Sequence, residues 1–157
     1  MGFKIEVQVL GLGELVEGVK MGLSVPTTEP KEIINLHIKL MERLMELPEV
    51  LEAVGGEPAS VGIKLLEPEV NLRLVLDGRR SRLEEMGKEE REDEVTITMK
   101  WETAHKFWLG KLNLTAALLT GKIKVEGRDM DALFRLKSII PQACEEYIRL
   151  TEELKGG

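Results

Sequence analysis

Residues 94–100, EVTITMK, alternate strictly between apolar and polar side chains. Val95, Ile97 and Met99 share one face, while Thr96, Thr98 and Lys100 share the other. Successive side chains of a strand point to opposite faces, so this is a strand with one side to bury and one side to wet. The pattern recurs at 3–10, 19–25, 61–66, 69–77 and 121–127. Strands buried on both faces read as continuous apolar runs, and these do not. The repetition therefore predicts an α+β chain with an antiparallel sheet whose apolar side is covered by helices. Residues 80–86 are ambiguous between loop and weak edge strand.

The helical cover is legible in the same way. From Glu32 onward Ile33, Ile34, His37, Ile38, Met41, Leu44 and Met45 recur at helical spacing. Thr28 is placed to cap this helix and Pro30 suits its first turn. Pro48 breaks it, and a further turn through Val50, Leu51 and Val54 stops at Gly55-Gly56. A short helix carries Ala104, Phe107 and Trp108; Asn113 caps another, which Gly121 ends. The chain closes in helix, with Met130, Leu133 and Phe134 as one stripe. Pro141 is expected to break that run before a segment striped by Cys144, Tyr147 and Ile148. Residues 1–25 read as a β-hairpin extension around a Gly-rich stretch, although 14–23 also fit a short helix. The acidic run 84–94, EEMGKEEREDE, reads as a solvated turn.

Composition excludes several functions. The 157 residues fit one domain, and 43% hydrophobic content is enough for one core. The net charge of −6 disfavours a phosphate backbone or an anionic bilayer as partner. One cysteine, Cys144, cannot staple the fold, which fits a reducing compartment. No apolar run reaches the ~18–20 residues that cross a bilayer, and the N-terminus alternates where a signal peptide would be continuously apolar. The expectation is a cytoplasmic protein without stable membrane insertion. The sequon at Asn113 carries no meaning there.

Chemical motifs are sparse. His37, His105 and Cys144 lie far apart, whereas metal sites need three or four ligands with a close pair. His37 falls on an apolar stripe and reads as a satisfied core histidine; Cys144 reads as buried and inert. Gly11-Leu12-Gly13 follows a strand but lacks the third glycine of a dinucleotide fingerprint, Val16 standing in its place. Gly121-Lys122 lacks the remainder of a P-loop. No carboxylate sits in an apolar stretch in a way that signals a perturbed pKa. Arg79, Arg80 and Arg82 read as a solvated turn balancing the acidic run. The residues thus point to no catalytic apparatus, metal or cofactor.

Residues 94–136 resemble the sterol carrier protein 2 family. The order is strand EVTITMK, a short helix ending FWLGKLN, a second short helix, GKIKVEG, then a helix beginning DMDALFRL. The strands at 61–66 and 69–77 and the helix at 30–54 fall where the family has its first elements. Residues 1–25 have no counterpart in the minimal domain, and 141–157 extend the final helix. The resemblance implies a five-stranded sheet, antiparallel or mixed, packed against helices around an apolar tunnel, and binding and transfer of lipids without chemistry.

If that tunnel is present here, its walls are Ile97, Met99, Ile123 and Val125 on the strands, with Phe107, Trp108, Leu112, Leu118, Met130, Leu133 and Phe134 opposite. Trp108 and Met99 stand out, the first for its indole N–H and the second for its adaptability. An enclosed site suits such a ligand. Each buried CH₂ contributes about 0.8 kcal/mol against an association cost of ~4–15 kcal/mol, so about ten or more carbons must be covered. The leading expectation is a non-catalytic carrier of a lipid, fatty acyl, isoprenoid or sterol-like ligand. Two others compete: an assembly module with a solid core, forming a homodimer through the N-terminal extension, and an accessory subunit of a lipid-modifying enzyme.

Overall fold

A computed structural model describes residues 27–86 and 94–156. The expected N-terminal hairpin lies outside the described residues. The chain divides into two compact units. One is Thr28–Ile148; the other groups Met1–Thr27 with Arg149–Gly157, the end of the last helix.

The first unit begins with α1 (Pro30–Leu44) and the short α2 (Pro48–Ala53), each with proline in its first turn, where the missing N–H costs nothing. Glu29, not Thr28, is the N-cap residue of α1, and no side chain caps it. Three strands follow: β1 (Ala59–Leu66), β2 (Val70–Leu76) and β3 (Arg82–Glu85). After β4 (Val95–Lys100) come α3 (Trp101–Trp108), α4 (Leu114–Leu119), β5 (Ile123–Glu126) and α5 (Met130–Gly156). Asn113 caps α4 as its position predicts, accepting from the Ala116 N–H at 3.0 Å.

The five strands form one sheet in the order β3-β2-β1-β4-β5. Its pairs are antiparallel except β1 with β4, which run parallel, so the sheet is mixed. β3 pairs with the outer edge of β2, and β4 lies on the other side of β1. Segment 80–86 resolves as the edge strand β3. Register sets the two faces. Val61, Ile63 and Leu65 stand level with Leu74, Leu72 and Val70 on one side and with Val95, Ile97 and Met99 on the other. Ile123 and Val125 extend this apolar face beyond Met99 and Ile97. Helix α1 packs on β2 and β3, α3 on β1 and β4, and α4 on β5.

Gly127 explains how β5 is reached. Its φ of +122° is unfavourable for a side chain, and a Cβ there would stand 2.6 Å from the Glu94 carbonyl oxygen and 2.7 Å from the Val95 Cα. The end of β5 crosses the start of β4 backbone to backbone, with no room for a methyl group.

Helix α5 departs from expectation twice. Pro141 lies inside it and does not break it. The burial of Leu136, Ile139, Ala143 and Tyr147 on one stripe outweighs the hydrogen bond that proline removes. The buried stripe is also not the expected one. Ala132, Leu136, Ile139, Ala143 and Tyr147 face inward, while Met130 and Phe134 are exposed. At about 100° per residue, Met130 and Phe134 lie two residues, and so nearly half a turn, from Ala132. Arg135 shares the inward side by a polar route, donating from its terminal nitrogens to the carbonyls of Val54 and Glu57 at 2.8 Å and so closing the end of α2.

Candidate ligand-binding site

The apolar face of the sheet is not uniformly sealed. Val61 and Leu65 on β1 and Leu72 on β2 are fully or almost fully buried. Ile63 lies between them, at the centre of the central strand, and is only half-buried. Level with it, Ile97 keeps 9% of its surface, as does Met99 one step along. In a solidly packed layer the centre of the middle strand is the most enclosed position. Phe107 and Trp108 on α3, Leu112 in the loop after it and Leu133 on α5 are all half-buried, while Trp101 and Ala104 on α3 are buried.

A polar and aromatic cluster ties α1, α3 and α5 together. His37 Nδ1 lies 2.8 Å from the Ile33 carbonyl oxygen, which can only accept, so Nδ1 carries the proton. Nε2 is then an acceptor, and the Trp108 indole N–H donates to it at 3.3 Å. Burial lowers the His37 pKa below its ordinary 6.5 more strongly than the Ile33 hydrogen bond raises it, so the ring is neutral. The ring also stacks edge-on against Trp101 and Trp108. A second pair, His105 Nδ1 and the Tyr147 hydroxyl, shares a hydrogen bond of 2.7 Å. Burial pushes the Tyr147 phenol far above its usual range, so it too is neutral. His37 is thus the satisfied core histidine expected from its stripe. The Trp108 N–H is spent on His37, and its indole ring lies against Phe107 and Tyr147, with centroids 5.0 and 6.3 Å away.

Sequence reasoning missed a buried ion pair on the opposite face of the sheet. Arg73 Nε donates to Glu94 Oε2 at 2.7 Å, a terminal nitrogen reaches Oε1 at 3.3 Å, and the Ser60 hydroxyl donates to Oε2 at 2.7 Å. The Glu94 side chain is 2% exposed, so the end of the acidic run is not solvated; Met86 near its start is buried as well. Gly62 was the available signal. It interrupts the alternation of β1, and a Cβ there would press on Glu94 Oε1 at 3.1 Å. A glycine inside a strand marks a close approach.

The expected wall residues divide into two groups. Ile97, Met99 and Ile123 lie on the buried face, while Phe107, Trp108, Leu112 and Leu133 are half-buried. Leu118 on α4, Val125 on the edge strand β5, and Met130 and Phe134 on α5 are exposed. Cys144 is half-buried; its thiol donates to the Phe107 carbonyl at 3.5 Å, and burial pushes its pKa up. Among the described residues no group of three His, Cys, Asp or Glu side chains converges as a metal site would require. None of their helices is long and apolar enough to cross a membrane.

Comparison with known proteins gives this arrangement a family. The sterol carrier protein domain 2 of Helicoverpa armigera is 25% identical, with a TM-score of 0.54 over 79% of this chain and 96% of that one. Sterol carrier protein 2 from Yarrowia lipolytica, in its apo form, is 20% identical, with a TM-score of 0.51 over 72% and 98%. A ubiquinone synthesis protein, UbiJ-SCP2, shares the fold at 15% identity, with a TM-score of 0.55 over 72% and 96%. A sec-alkyl sulfatase also matches, and the chain spans 14% of its length. No curated protein matches by sequence. The model of the SCP-2 sterol transfer family matches residues 38–141, more than half of the chain. With the five-stranded mixed sheet, its helical cover and that match together, the chain belongs to the SCP-2 sterol transfer family.

Proposed function

We propose that the unit Thr28–Ile148 binds one apolar ligand, a lipid, fatty acyl, isoprenoid or sterol-like molecule, between sheet and helices, and carries or presents it without chemistry. The carrying observation is Ile63, half-buried at the centre of an apolar face where Val61, Leu65 and Leu72 beside it are sealed. The site lies over Ile63, Ile97, Met99 and Ile123. Phe107, Trp108, Leu112 and Leu133 form its helical side, and Val125, Leu118, Met130 and Phe134 its open end. Family membership supports the ligand class.

The non-catalytic reading follows from the polar groups. His37 and Trp108 satisfy each other, as do His105 and Tyr147, and all four are neutral or committed to structural hydrogen bonds. The buried carboxylate Glu94 belongs to the other face of the sheet and is paired with Arg73. Nothing among these groups is positioned as a nucleophile with its base.

Titration with an environment-sensitive fluorescent fatty acid, followed by displacement with unlabelled palmitate, tests the proposal. Saturable, displaceable binding at one site per chain, with quenching of Trp108 emission, is the expected result. Absence of saturable binding across acyl, isoprenoid and sterol probes would leave a filled core and favour an assembly role.

A further inference from the structure

We propose that the hydrogen bond from Trp108 to His37 is an acid-sensitive latch between α3 and α1, and that a proton on His37 opens the helical cover and releases the ligand. Release rests on the ligand reading above, while the latch rests on hydrogen-bond chemistry alone. Five rings close a circuit across α1, α3 and α5. Between ring centroids, His37 lies 5.7 Å from Trp101, Trp101 5.6 Å from His105, and His105 5.7 Å from Tyr147. Tyr147 lies 6.3 Å from Trp108, which returns to His37 at 6.2 Å. Two hydrogen bonds fasten the circuit, Trp108 to His37 at 3.3 Å and His105 with Tyr147 at 2.7 Å. The first joins helices that cover different strands, α1 on β2 and β3 and α3 on β1 and β4. β1 and β4 carry Ile63, Ile97 and Met99, so α3 is packed on the strands of the proposed site.

The two histidines respond differently to a proton. The Tyr147 hydroxyl both donates and accepts, so it suits His105 Nδ1 in either protonation state. His37 has no such freedom. The Ile33 carbonyl only accepts and the indole N–H only donates, so together they fit one neutral tautomer. A proton added at Nε2 leaves two N–H groups facing each other. Turning the ring over changes nothing, because both nitrogens of an imidazolium donate. Protonation therefore breaks the bond to Trp108, and no reorientation of the ring restores it.

The surroundings hold the latch shut at neutral pH. Among the described residues no ion pair reaches His37. On its own helix the residues three and four positions away are Ile33, Ile34, Leu40 and Met41. From α3 it meets Trp101 and Trp108, with His105 beyond Trp101; Glu102 and Lys106 of that helix are exposed. α5 brings Tyr147 against Trp108 and His105, and Glu146, next to it in sequence, is buried with a partner of its own. On the strands beneath α1, Arg73 pairs with Glu94 on the opposite face, Arg82 pairs with Glu84, and Glu85 is exposed. The indoles stand near the ~6 Å range of a cation–π contact, yet burial is the larger influence and keeps the ring neutral.

Titration with a pyrene-labelled long-chain alcohol, which carries no titrating group, tests release at pH 7.5 and 5.0. One proton coupled to release weakens binding by at most about tenfold per pH unit. Wild type should therefore bind about three- to tenfold more weakly at pH 5.0, while His37→Gln should change by less than about twofold. Binding and protonation are reciprocal, so saturating probe should lower the His37 pKa read by NMR. The Trp108 indole N–H resonance should move with the His37 midpoint and not with that of His105. These NMR titrations need no variant and decide the matter if His37→Gln does not fold. Probe binding equally tight at both pH values, or weakened as much in His37→Gln as in wild type, would overturn release and leave the ligand reading standing. A Trp108 resonance indifferent to the His37 titration would overturn the latch. No saturable binding of the probe at pH 7.5 would overturn the ligand reading and release together.

Discussion

Replacing Ile63 with phenylalanine separates an open site from a solid core. Ile63 and Leu65 lie two residues apart on the same face of β1, one half-buried and the other 1% exposed. A larger side chain forced into a close-packed interior costs about 1–3 kcal/mol. For a chain of 157 residues that lowers Tm by about 2–12 °C. Leu65→Phe should pay this cost. Ile63→Phe should stay within about 2 °C of wild type, because its ring enters space the ligand would occupy. Displacing two or three CH₂ groups of an acyl chain at about 0.8 kcal/mol each removes about 2 kcal/mol, so probe affinity should fall about 30-fold. Paired thermal melts and probe titrations of the two variants supply both readings. If Ile63→Phe is destabilised as much as Leu65→Phe and binds the probe like wild type, position 63 is ordinary core and the reasoning fails.

Gly127→Ala should lose at least about 3 kcal/mol in chemical denaturation, since strained backbone and a contact with the backbone of Glu94 and Val95 combine and neither can yield cheaply. Glu94→Ala should cost about 3–5 kcal/mol by leaving the Arg73 guanidinium buried without its carboxylate, and the Arg73→Met/Glu94→Leu double variant should recover most of it. His37 is held neutral by burial, so the unfolded chain binds its proton more readily than the folded one. Stability should therefore be intact above about pH 6.5 and decline as pH falls below it, by at most about 1.4 kcal/mol per pH unit. His37→Gln, which cannot titrate, should flatten that decline in denaturation curves taken at pH 7.5 and 5.5.

The sheet was legible because period-two alternation is a local signal, and 94–100 carries it without interruption. The half-burial of Ile63 was not, since alternation marks which face is covered and not how well the cover fits. Helix α5 shows a related limit. Met130, Leu133 and Phe134 have helical spacing, but the neighbouring stripe of Ala132, Leu136 and Ile139 has the same spacing, and tertiary packing chose it. Arg135 reaches the inside because backbone carbonyls of Val54 and Glu57 await it, a partner no periodicity reveals. Glu94 sits at the end of an acidic run whose composition speaks for solvent, and its partner Arg73 is 21 residues away. Pro141 shows that a local rule for helix breaking yields when enough apolar surface is buried on either side of it.

Native mass spectrometry of the purified chain, followed by organic extraction and identification of whatever is released, tests apolar-ligand carriage most directly. A mass increment matching one lipid-like molecule per chain, lost on extraction and identified as an acyl, isoprenoid or sterol compound, is the expected result. A bare protein mass that no added lipid shifts, with unchanged thermal stability in the presence of those lipids, would contradict it.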